Sequence, residues 1–278
     1  MPNYFSKKLR TLRHMSWSWA LHYYKKRFLM NANYFISKIR GRTFWEMAIE
    51  EVTVKIAFSN AYQHHIARAY HTGESESQSL TMWKHHAEER GGVILDVGGY
   101  IGVFGLLAGS ANPNAKIFIF EPDPTNIEQI KQNIALNHLA NVSILPMAIT
   151  DTVGTINFNI HSSGGKVGGG THGSITKEKG NLVTPCTTID AWTMENHLTP
   201  TLIKMDIEGA EYRALLGARQ TLMNTPGIEI FLELHPHFLK ELGSSAEAVL
   251  KLIEEFGYRK LWLDSAKFFV HYWLYRPR

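Results

Sequence analysis

Short apolar runs alternate with amphipathic segments along most of the chain, and this alternation predicts the fold. The apolar runs are typical of strands buried on both faces, and they comprise residues 93–97, 116–120, 142–146, 202–206 and 228–235. Between two of these runs, residues 125–137 place Ile127, Ile130 and Ile134 on one face of a helix. Strands that alternate with helices predict an α/β fold, in which helices cover both faces of a mostly parallel sheet.

The remaining patterns predict smaller elements around this sheet. Residues 154–160 alternate with the period of a half-buried strand, and the glycine-rich residues 162–174 are typical of a flap or the tip of a hairpin. The runs at 258–263 and 268–273 predict a hairpin that closes the sheet with an antiparallel strand. Residues 44–71 alternate only loosely between apolar and polar side chains, and we predict a helix there.

The N-terminal part of the chain differs from the rest in charge. Residues 1–45 contain ten Lys and Arg residues, no Asp or Glu, and many aromatic side chains. On a helix this mixture suits an anionic membrane surface, a polyanionic substrate, or a cap that packs its rings onto the remaining chain. The polar stretch 72–79 is the predicted hinge. We therefore divide the chain into a basic, aromatic-rich helical region, residues 1–75, and a larger domain, residues 76–278.

Composition limits the class of protein further. Hydrophobic residues make up 44% of the 278 residues, which is ample for a globular core. Cys186 is the sole cysteine, so the chain has no internal disulfide and no cysteine-based zinc site. No run of about 18 apolar residues predicts a membrane-spanning helix, and the N-terminus lacks the apolar segment of a secretory signal. These features predict a cytoplasmic protein. Its basic arm, residues 1–45, can bring it to the inner face of the membrane.

The stretch from Asp96 to Gly102 is where we expect a ligand. It reads Asp-Val-Gly-Gly-Tyr-Ile-Gly, and it connects the strand at 93–97 to a helix that begins at Val103. A strand, a glycine turn and a helix N-terminus form a nucleotide-type pocket at the carboxyl end of a sheet. Gly98 and Gly102 have no Cβ atom, and we expect the lack of these two atoms to leave room for the ligand.

Two nucleotide-type ligands compete for this pocket. A nicotinamide cofactor favours the pattern G-x-G-x-x-G, but the chain has Tyr100 and Val103 where the second and third glycines would stand. S-adenosylmethionine has no pyrophosphate; its cationic groups suit Asp96, and its ribose diol suits Glu121 as a double acceptor. Its adenine would lie at the end of the third strand. The predicted contacts of S-adenosylmethionine are Asp96, Gly98, Gly99, Tyr100, Gly102, Glu121, Pro122, Met147 and Ala148.

Three motifs stand at the ends of predicted strands. The first is Asp96–Gly102, the second is Phe120–Pro122, and the third and most specific is Lys-Met-Asp-Ile-Glu-Gly-Ala-Glu at 204–211. Together they resemble the motifs of the FkbM-type class I methyltransferases, which methylate hydroxyl oxygens. The similarity covers residues 90–235 and departs from the family at Tyr100, where the family has Asn. It implies a Rossmann-like sheet, S-adenosylmethionine as donor, and transfer to a hydroxyl of a sugar, glycan, lipid-linked or other small-molecule acceptor.

Methyl transfer to a hydroxyl needs a group that takes up the hydroxyl proton. Asp206 ends a strand beside the place where the methyl group would lie, so it is our first candidate for this base. Glu208 is the second candidate and His235 is the third. Asp206, Glu233 and His235 could also hold a divalent cation through hard ligands.

Two other classes of function are compatible with the sequence. A non-catalytic protein of this fold would dock on a membrane or a partner through its basic arm, and its role would survive the loss of Asp206. A nucleic-acid methyltransferase is disfavoured, because the Asn/Asp-Pro-Pro-Tyr/Phe motif expected for methylation of base amino groups is absent. The nearest segment, residues 121–124, reads Glu-Pro-Asp-Pro.

Overall fold

The computed structural model describes residues 17–162, 171–176, 180–265 and 269–277. Its helices are α1 (Trp17–Ile39), α2 (Ala61–His71), α3 (Ser77–Arg90), α4 (Val103–Ala111), α5 (Pro124–Leu136), α6 (Ile189–Asn196), α7 (Glu211–Leu216), α8 (Arg219–Asn224), α9 (Pro236–Glu241) and α10 (Ala246–Glu255). Its strands are β1 (Phe44–Ile49), β2 (Val52–Ala57), β3 (Val93–Val97), β4 (Lys116–Phe120), β5 (Val142–Leu145), β6 (Ala148–Ile149), β7 (Gly154–Ser162), β8 (Thr171–Ile175), β9 (Leu182–Thr187), β10 (Pro200–Met205), β11 (Glu229–Leu234), β12 (Arg259–Ser265) and β13 (Val270–Tyr275).

Seven strands form the main sheet, in the order β12-β13-β11-β10-β3-β4-β5. The strands from β11 to β5 are parallel, and β13 is antiparallel to both of its neighbours. This arrangement confirms the predicted mostly parallel sheet with a closing antiparallel hairpin. The carboxyl ends of β10, β3, β4 and β5 lie side by side, because Val97 pairs with Met205 and Phe120, and Phe120 pairs with Leu145.

The central strand β3 is buried at every position, because helices cover both faces of the sheet. Ile94 packs on one face, in the same hydrophobic cluster as Leu106 of α4. Leu95 packs on the other face, in a cluster with Leu215 of α7. Successive side chains of a strand point to opposite faces, so an uninterrupted apolar run is what a doubly covered strand requires.

The segment 44–57 corrects one prediction. We expected a helix over residues 44–71, but only Ala61–His71 of that range is an α-helix. Residues 44–57 contain the antiparallel hairpin of β1 and β2. The buried apolar residues of the hairpin lie at every second position of each strand: Met47, Ile49, Val54 and Ile56. This is the period of a half-buried strand, and it outweighs the helical propensity of the segment.

The hairpin packs directly on the elements of the main sheet. Met47 lies in the same hydrophobic cluster as Ile94 of β3. The Asn137 side chain accepts a hydrogen bond from the Lys55 N–H and donates one to the Lys55 carbonyl, each at 2.7 Å. The hairpin is therefore fixed to the end of α5. The domain boundary between residues 75 and 76 stays a prediction.

A second sheet, in the order β6-β9-β7-β8, follows the third strand of the main sheet. Strand β7 confirms the strand predicted at 154–160, and it pairs with β8 in an antiparallel hairpin. The glycine-rich stretch predicted as a flap or tip falls largely at residues 163–170, outside the described residues. Strand β9 escapes prediction because it contains Pro185, and a proline normally argues against a strand inside a sheet.

Candidate active site

The glycine turn between β3 and α4 packs against the end of β10. Gly98 has a φ of +84°, and a Cβ atom there would lie 1.9 Å from the carbonyl oxygen of Asp206. A Cβ atom on Gly102 would lie 3.2 Å from Cγ2 of Ile130. Gly98 therefore lets the turn and the Asp206 backbone lie in contact, and Gly102 lets the turn pack against Ile130 of α5. That these two glycines also leave room for a ligand stays a prediction.

Asp96 is completely buried and faces Lys204. Its Oδ2 atom accepts a hydrogen bond from the Gly105 N–H, in the first turn of α4, at 2.9 Å. Its Oδ1 atom lies 3.5 Å from Nζ of Lys204. The same Nζ donates to the Gly98 carbonyl at 2.7 Å and lies 3.3 Å from Oδ2 of Asp206. Burial lowers the pKa of Lys204, but the charges of Asp206 and Asp96 outweigh burial and raise it. The Lys204 ammonium thus links the two aspartates.

Glu121 follows β4, and two backbone amides hold its carboxylate. Oε2 accepts from the Tyr100 N–H and Oε1 from the Asp123 N–H, each at 2.8 Å. Burial raises the pKa of Glu121 to about 7, although both hydrogen bonds act in the opposite direction. Pro122 leads into Asp123, whose side chain caps α5 by accepting from the Thr125 N–H at 2.8 Å. Glu121 therefore connects the glycine turn to the start of α5.

Met147 and Ala148 lie just beyond the end of β5. Ala148 is buried as the first residue of β6, and Met147 is half-buried with its N–H donating to the Leu145 carbonyl at 2.8 Å. The structure thus brings the predicted cofactor residues together at one edge of the sheet, at or beyond the carboxyl ends of β3, β4 and β5. Their contacts with a cofactor stay predictions.

Four carboxylates surround His235, which follows β11. Its Nε2 lies 3.2 Å from Oε1 of Glu233, 3.7 Å from Oε2 of Glu208 and 3.9 Å from Oδ1 of Asp206, and its Nδ1 lies 3.3 Å from Oε1 of Glu211. Burial lowers the pKa of His235, but hydrogen bonds to Glu211 and Glu233 and the other charges raise it to about 11. His235 is therefore an imidazolium at neutral pH, which has no free lone pair to act as a base.

Glu233 lies between two imidazole rings. Its Oε1 faces His235, and its Oε2 lies 2.8 Å from Nε2 of His271 on β13. On the far side of that ring, Oγ of Ser79 on α3 lies 3.2 Å from Nδ1 of His271. Burial raises the pKa of Glu233, but the hydrogen bonds from His235 and His271 lower it to about 2. Polar contacts thus link four buried residues in a row, and this row holds the Glu233 carboxylate in place: Ser79, His271, Glu233 and His235.

Asp206 is the most accessible carboxylate around His235. Its side chain is 27% exposed, compared with 19% for Glu208 and 9% for Glu233. Burial and the charge of Glu233 raise the pKa of Asp206 to about 6, against the opposing charges of Lys204 and His235. A carboxylate that reaches solvent and has a pKa near neutrality is suited to exchange a proton with a bound substrate.

The residue just before α3 adds a carboxyl group that the sequence analysis missed. Glu76 directly precedes α3 with a φ of +50°, and its Oε1 accepts a hydrogen bond from the Tyr70 hydroxyl at 3.2 Å. Burial and the charges of Glu233 and Asp206 raise the pKa of Glu76 to about 7. Glu76, in the stretch predicted as a hinge, therefore interacts electrostatically with the carboxylates of the site. No local sequence signal reveals this interaction.

The three predicted metal-ligating residues do meet. Asp206, Glu233 and His235 each place one ligand atom within 4.8 Å of the others. Both carboxylate oxygens of Glu233 already face imidazole nitrogens, however: Oε1 faces Nε2 of His235, and Oε2 faces Nε2 of His271. A cation would have to displace the proton from His235, because a protonated ring nitrogen cannot coordinate a metal.

The main sheet has its antiparallel strand next to the edge, and the acidic site lies at the carboxyl ends of its parallel strands. This strand order and this position of the site define a class I methyltransferase fold. A family model described as "Methyltransferase FkbM domain" matches residues 96–260. The chain belongs to this family, in agreement with the resemblance of its three motifs.

Two known proteins are similar in sequence. "2-O-methyltransferase NoeI" of Sinorhizobium fredii (strain NBRC 101917 / NGR234) is 29% identical over 178 residues, which cover 59% of this chain and 72% of NoeI. "Methyltransferase sdnD" of Sordaria araneosa is 38% identical over 64 residues, which cover 23% of this chain and 25% of sdnD. Both names denote methyltransferases, in line with the family.

Two solved methyltransferase structures align with most of this chain. A SAM-dependent methyltransferase from Agrobacterium tumefaciens aligns with a TM-score of 0.49 at 13% identity, over 84% of this chain and 70% of that one. Precorrin-6y C5,15-methyltransferase from Geobacter metallireducens GS-15 aligns with a TM-score of 0.46 at 12% identity, over 73% of this chain and 90% of that one.

Proposed function

We propose that this chain is an S-adenosylmethionine-dependent O-methyltransferase, which acts on a hydroxyl of a sugar, glycan, lipid-linked or other small-molecule acceptor. The observation that carries the proposal is Asp206, a solvent-reaching carboxylate whose pKa is raised to about 6. It lies at the carboxyl end of β10, in contact with the glycine turn. The family supports methyl transfer, and the similarity to the 2-O-methyltransferase NoeI supports oxygen as the acceptor atom.

The charge of the site supports a cationic donor. Four carboxylates surround the His235 imidazolium, and Lys204 is shared between Asp96 and Asp206. Within the described part of the chain, this cluster therefore has more negative than positive groups, which favours a ligand with sulfonium and ammonium charges. Glu121 is the residue that would hold the ribose hydroxyls, since each of its oxygens keeps acceptor capacity beyond one backbone bond.

This arrangement supports the following roles for the side chains. Bound S-adenosylmethionine would supply an electrophilic methyl group for the acceptor oxygen and would leave as the thioether S-adenosylhomocysteine. The hydroxyl proton passes to the Asp206 carboxylate. His235 keeps its own proton and stabilises the ionised form of Asp206, while the Lys204 ammonium holds Asp206 beside the glycine turn. Proton uptake by a positioned base contributes about 10²–10⁴-fold to a rate, and positioning of the reactants contributes about 7–11 kcal/mol.

Donor binding is the first test of the proposal. Calorimetry of the full chain with S-adenosylmethionine and with S-adenosylhomocysteine should give saturable binding of both. Transfer of a labelled methyl group to hydroxylated acceptors, compared with amine acceptors, then tests the acceptor atom. Absence of binding at millimolar donor would contradict the proposal, and transfer to amines alone would contradict the assignment to oxygen.

Above the raised pKa of Glu121, where its carboxyl group is ionised, we expect Glu121→Gln to weaken the affinity for S-adenosylhomocysteine by about 10–100-fold, because hydrogen bonds to a charged group contribute about 1.5–3 kcal/mol. The matched control is Glu128→Gln on α5, whose carboxylate is exposed and paired with Lys131. Calorimetry measures both variants. Equal affinities of the wild type and Glu121→Gln would show that this carboxylate does not contact the ribose.

Removal of divalent cations tests the predicted metal site. We expect methyl transfer to continue in excess EDTA, because the Glu233 and His235 side chains already bind one another and the imidazolium supplies the positive charge. A loss of activity that magnesium or manganese restores would contradict this expectation. It would show that a cation occupies the site of Asp206, Glu233 and His235.

A further inference from the structure

The outward face of α1 is apolar. Phe28, Phe35 and Ile39 recur at the spacing that aligns side chains along one line of a helix, and Leu29 and Ile36 lie beside this line. These five side chains are between 45% and 71% exposed. Contiguous exposed apolar side chains of this size mark an interaction surface on a folded protein.

The opposite face of α1 is the one that packs on the protein. Ser37 is buried, and its Oγ lies 2.8 Å from Nε2 of His64 in α2. The Tyr34 hydroxyl donates to the carbonyl of Ser59 at 2.6 Å, and its ring meets Phe58 edge-on. Turning the apolar line inward would break these contacts. The exposure of the apolar face is therefore a consequence of how α1 is anchored.

The charges around α1 indicate the chemistry of the partner. Lys25, Arg27, Lys38 and Arg40 are exposed on or directly after the helix, and residues 1–45 contain no Asp or Glu. Exposed apolar side chains flanked by cations are complementary to an anionic bilayer, where rings and aliphatic groups enter the headgroup region and cations meet lipid phosphates. Among the described residues, no helix is long and apolar enough to cross a membrane.

We propose that α1 docks this protein on an anionic lipid surface, with Phe28, Phe35 and Ile39 inserted among the headgroups and the helix axis parallel to the bilayer. The basic side chains contribute long-range attraction, and the apolar line contributes the contact. Docking itself does not depend on methyl transfer, so it can be tested without donor or acceptor.

Vesicle co-sedimentation of the full chain is the test. We expect binding to phosphatidylcholine vesicles that contain about 30 mol% phosphatidylglycerol, and weaker binding to pure phosphatidylcholine or at high salt. The variant Phe28→Ser/Phe35→Ser/Ile39→Ser should lower the partition coefficient at least about tenfold, given the apolar area that it removes. The control Val183→Ser/Met194→Ser/Leu261→Ser changes side chains that are 50–74% exposed elsewhere, and it should bind as the wild type does.

Three outcomes would overturn the proposal. The first is equal binding of the α1 variant and the wild type, provided that circular dichroism shows equal helix content. The second is equal affinity for anionic and neutral vesicles, which would remove the role of the cations. The third is a wild type that is dimeric and an α1 variant that is monomeric in sedimentation equilibrium, while neither protein binds vesicles. That result would assign the apolar face to a second copy of the chain.

Discussion

Asp206→Asn should lower kcat for methyl transfer by about 10²–10⁴-fold, the usual contribution of a positioned base. The asparagine side chain keeps the size of the aspartate but cannot take up the hydroxyl proton. The affinity for S-adenosylhomocysteine should change far less, because that ligand lacks both the methyl group and the sulfonium charge. A transfer assay with labelled donor gives kcat, and calorimetry gives the affinity.

The pH dependence of the wild type gives this prediction a second readout. Burial and the charge of Glu233 raise the pKa of Asp206 from its ordinary value of 3.8 to about 6. The base works only when it is ionised, so kcat should rise with pH through about 6 and then level off. The remaining activity of Asp206→Asn should lack this rise.

Two variants separate Asp206 from its neighbours. Asp206→Glu keeps a carboxylate at the same place and should recover part of the activity that the asparagine variant loses. Glu208→Gln removes the second candidate and should affect kcat less than Asp206→Asn does. If Glu208→Gln abolishes transfer while Asp206→Asn retains most of it, Glu208 is the base and our assignment is wrong. Equal thermal unfolding of the variants would show that folding does not explain the difference.

Local motifs place the parts of the site that depend on neighbouring residues in the sequence. The apolar runs before Asp96, Glu121 and Asp206 predict parallel strands, and the carboxyl ends of parallel strands meet at one edge of a sheet. Chain order alone therefore brings these three acids together. What the motifs leave open is the partner of each acid. Lys204, on an adjacent strand, links two of them.

The buried row of polar residues from Ser79 to His235 depends on contacts between residues that are distant in the sequence. Glu233 and His271 are paired residues of β11 and β13, and Ser79 lies 192 residues before His271. A sequence pattern can predict that a hairpin closes the sheet, but the pairing of individual residues depends on strand register. A lone histidine in an apolar strand carries no local sign of its carboxylate partner. Glu76 joins the site through the same kind of long-range packing.

Glu233→Gln should destabilise the folded protein by about 3–5 kcal/mol, the usual cost of removing one partner from a buried ion pair. The matched control is Glu254→Gln, which removes an exposed carboxylate paired with Lys260 on the surface and should cost less than about 1 kcal/mol. Urea unfolding with unchanged m values measures both free energies. A Glu233→Gln variant as stable as the control would show that the two imidazoles do not need this carboxylate.

The pH dependence of that difference distinguishes the ion pair from simple packing. The pKa of Glu233 is lowered from 4.5 to about 2, so its stabilising contribution is complete above pH 4.5 and is lost as the pH falls toward 2. The pKa of His235 is raised from 6.5 to about 11, so its contribution is complete below pH 6.5 and is lost as the pH rises toward 11. The difference in unfolding free energy between the wild type and Glu233→Gln should therefore be greatest between pH 4.5 and 6.5. A packing defect alone would give the same difference at every pH.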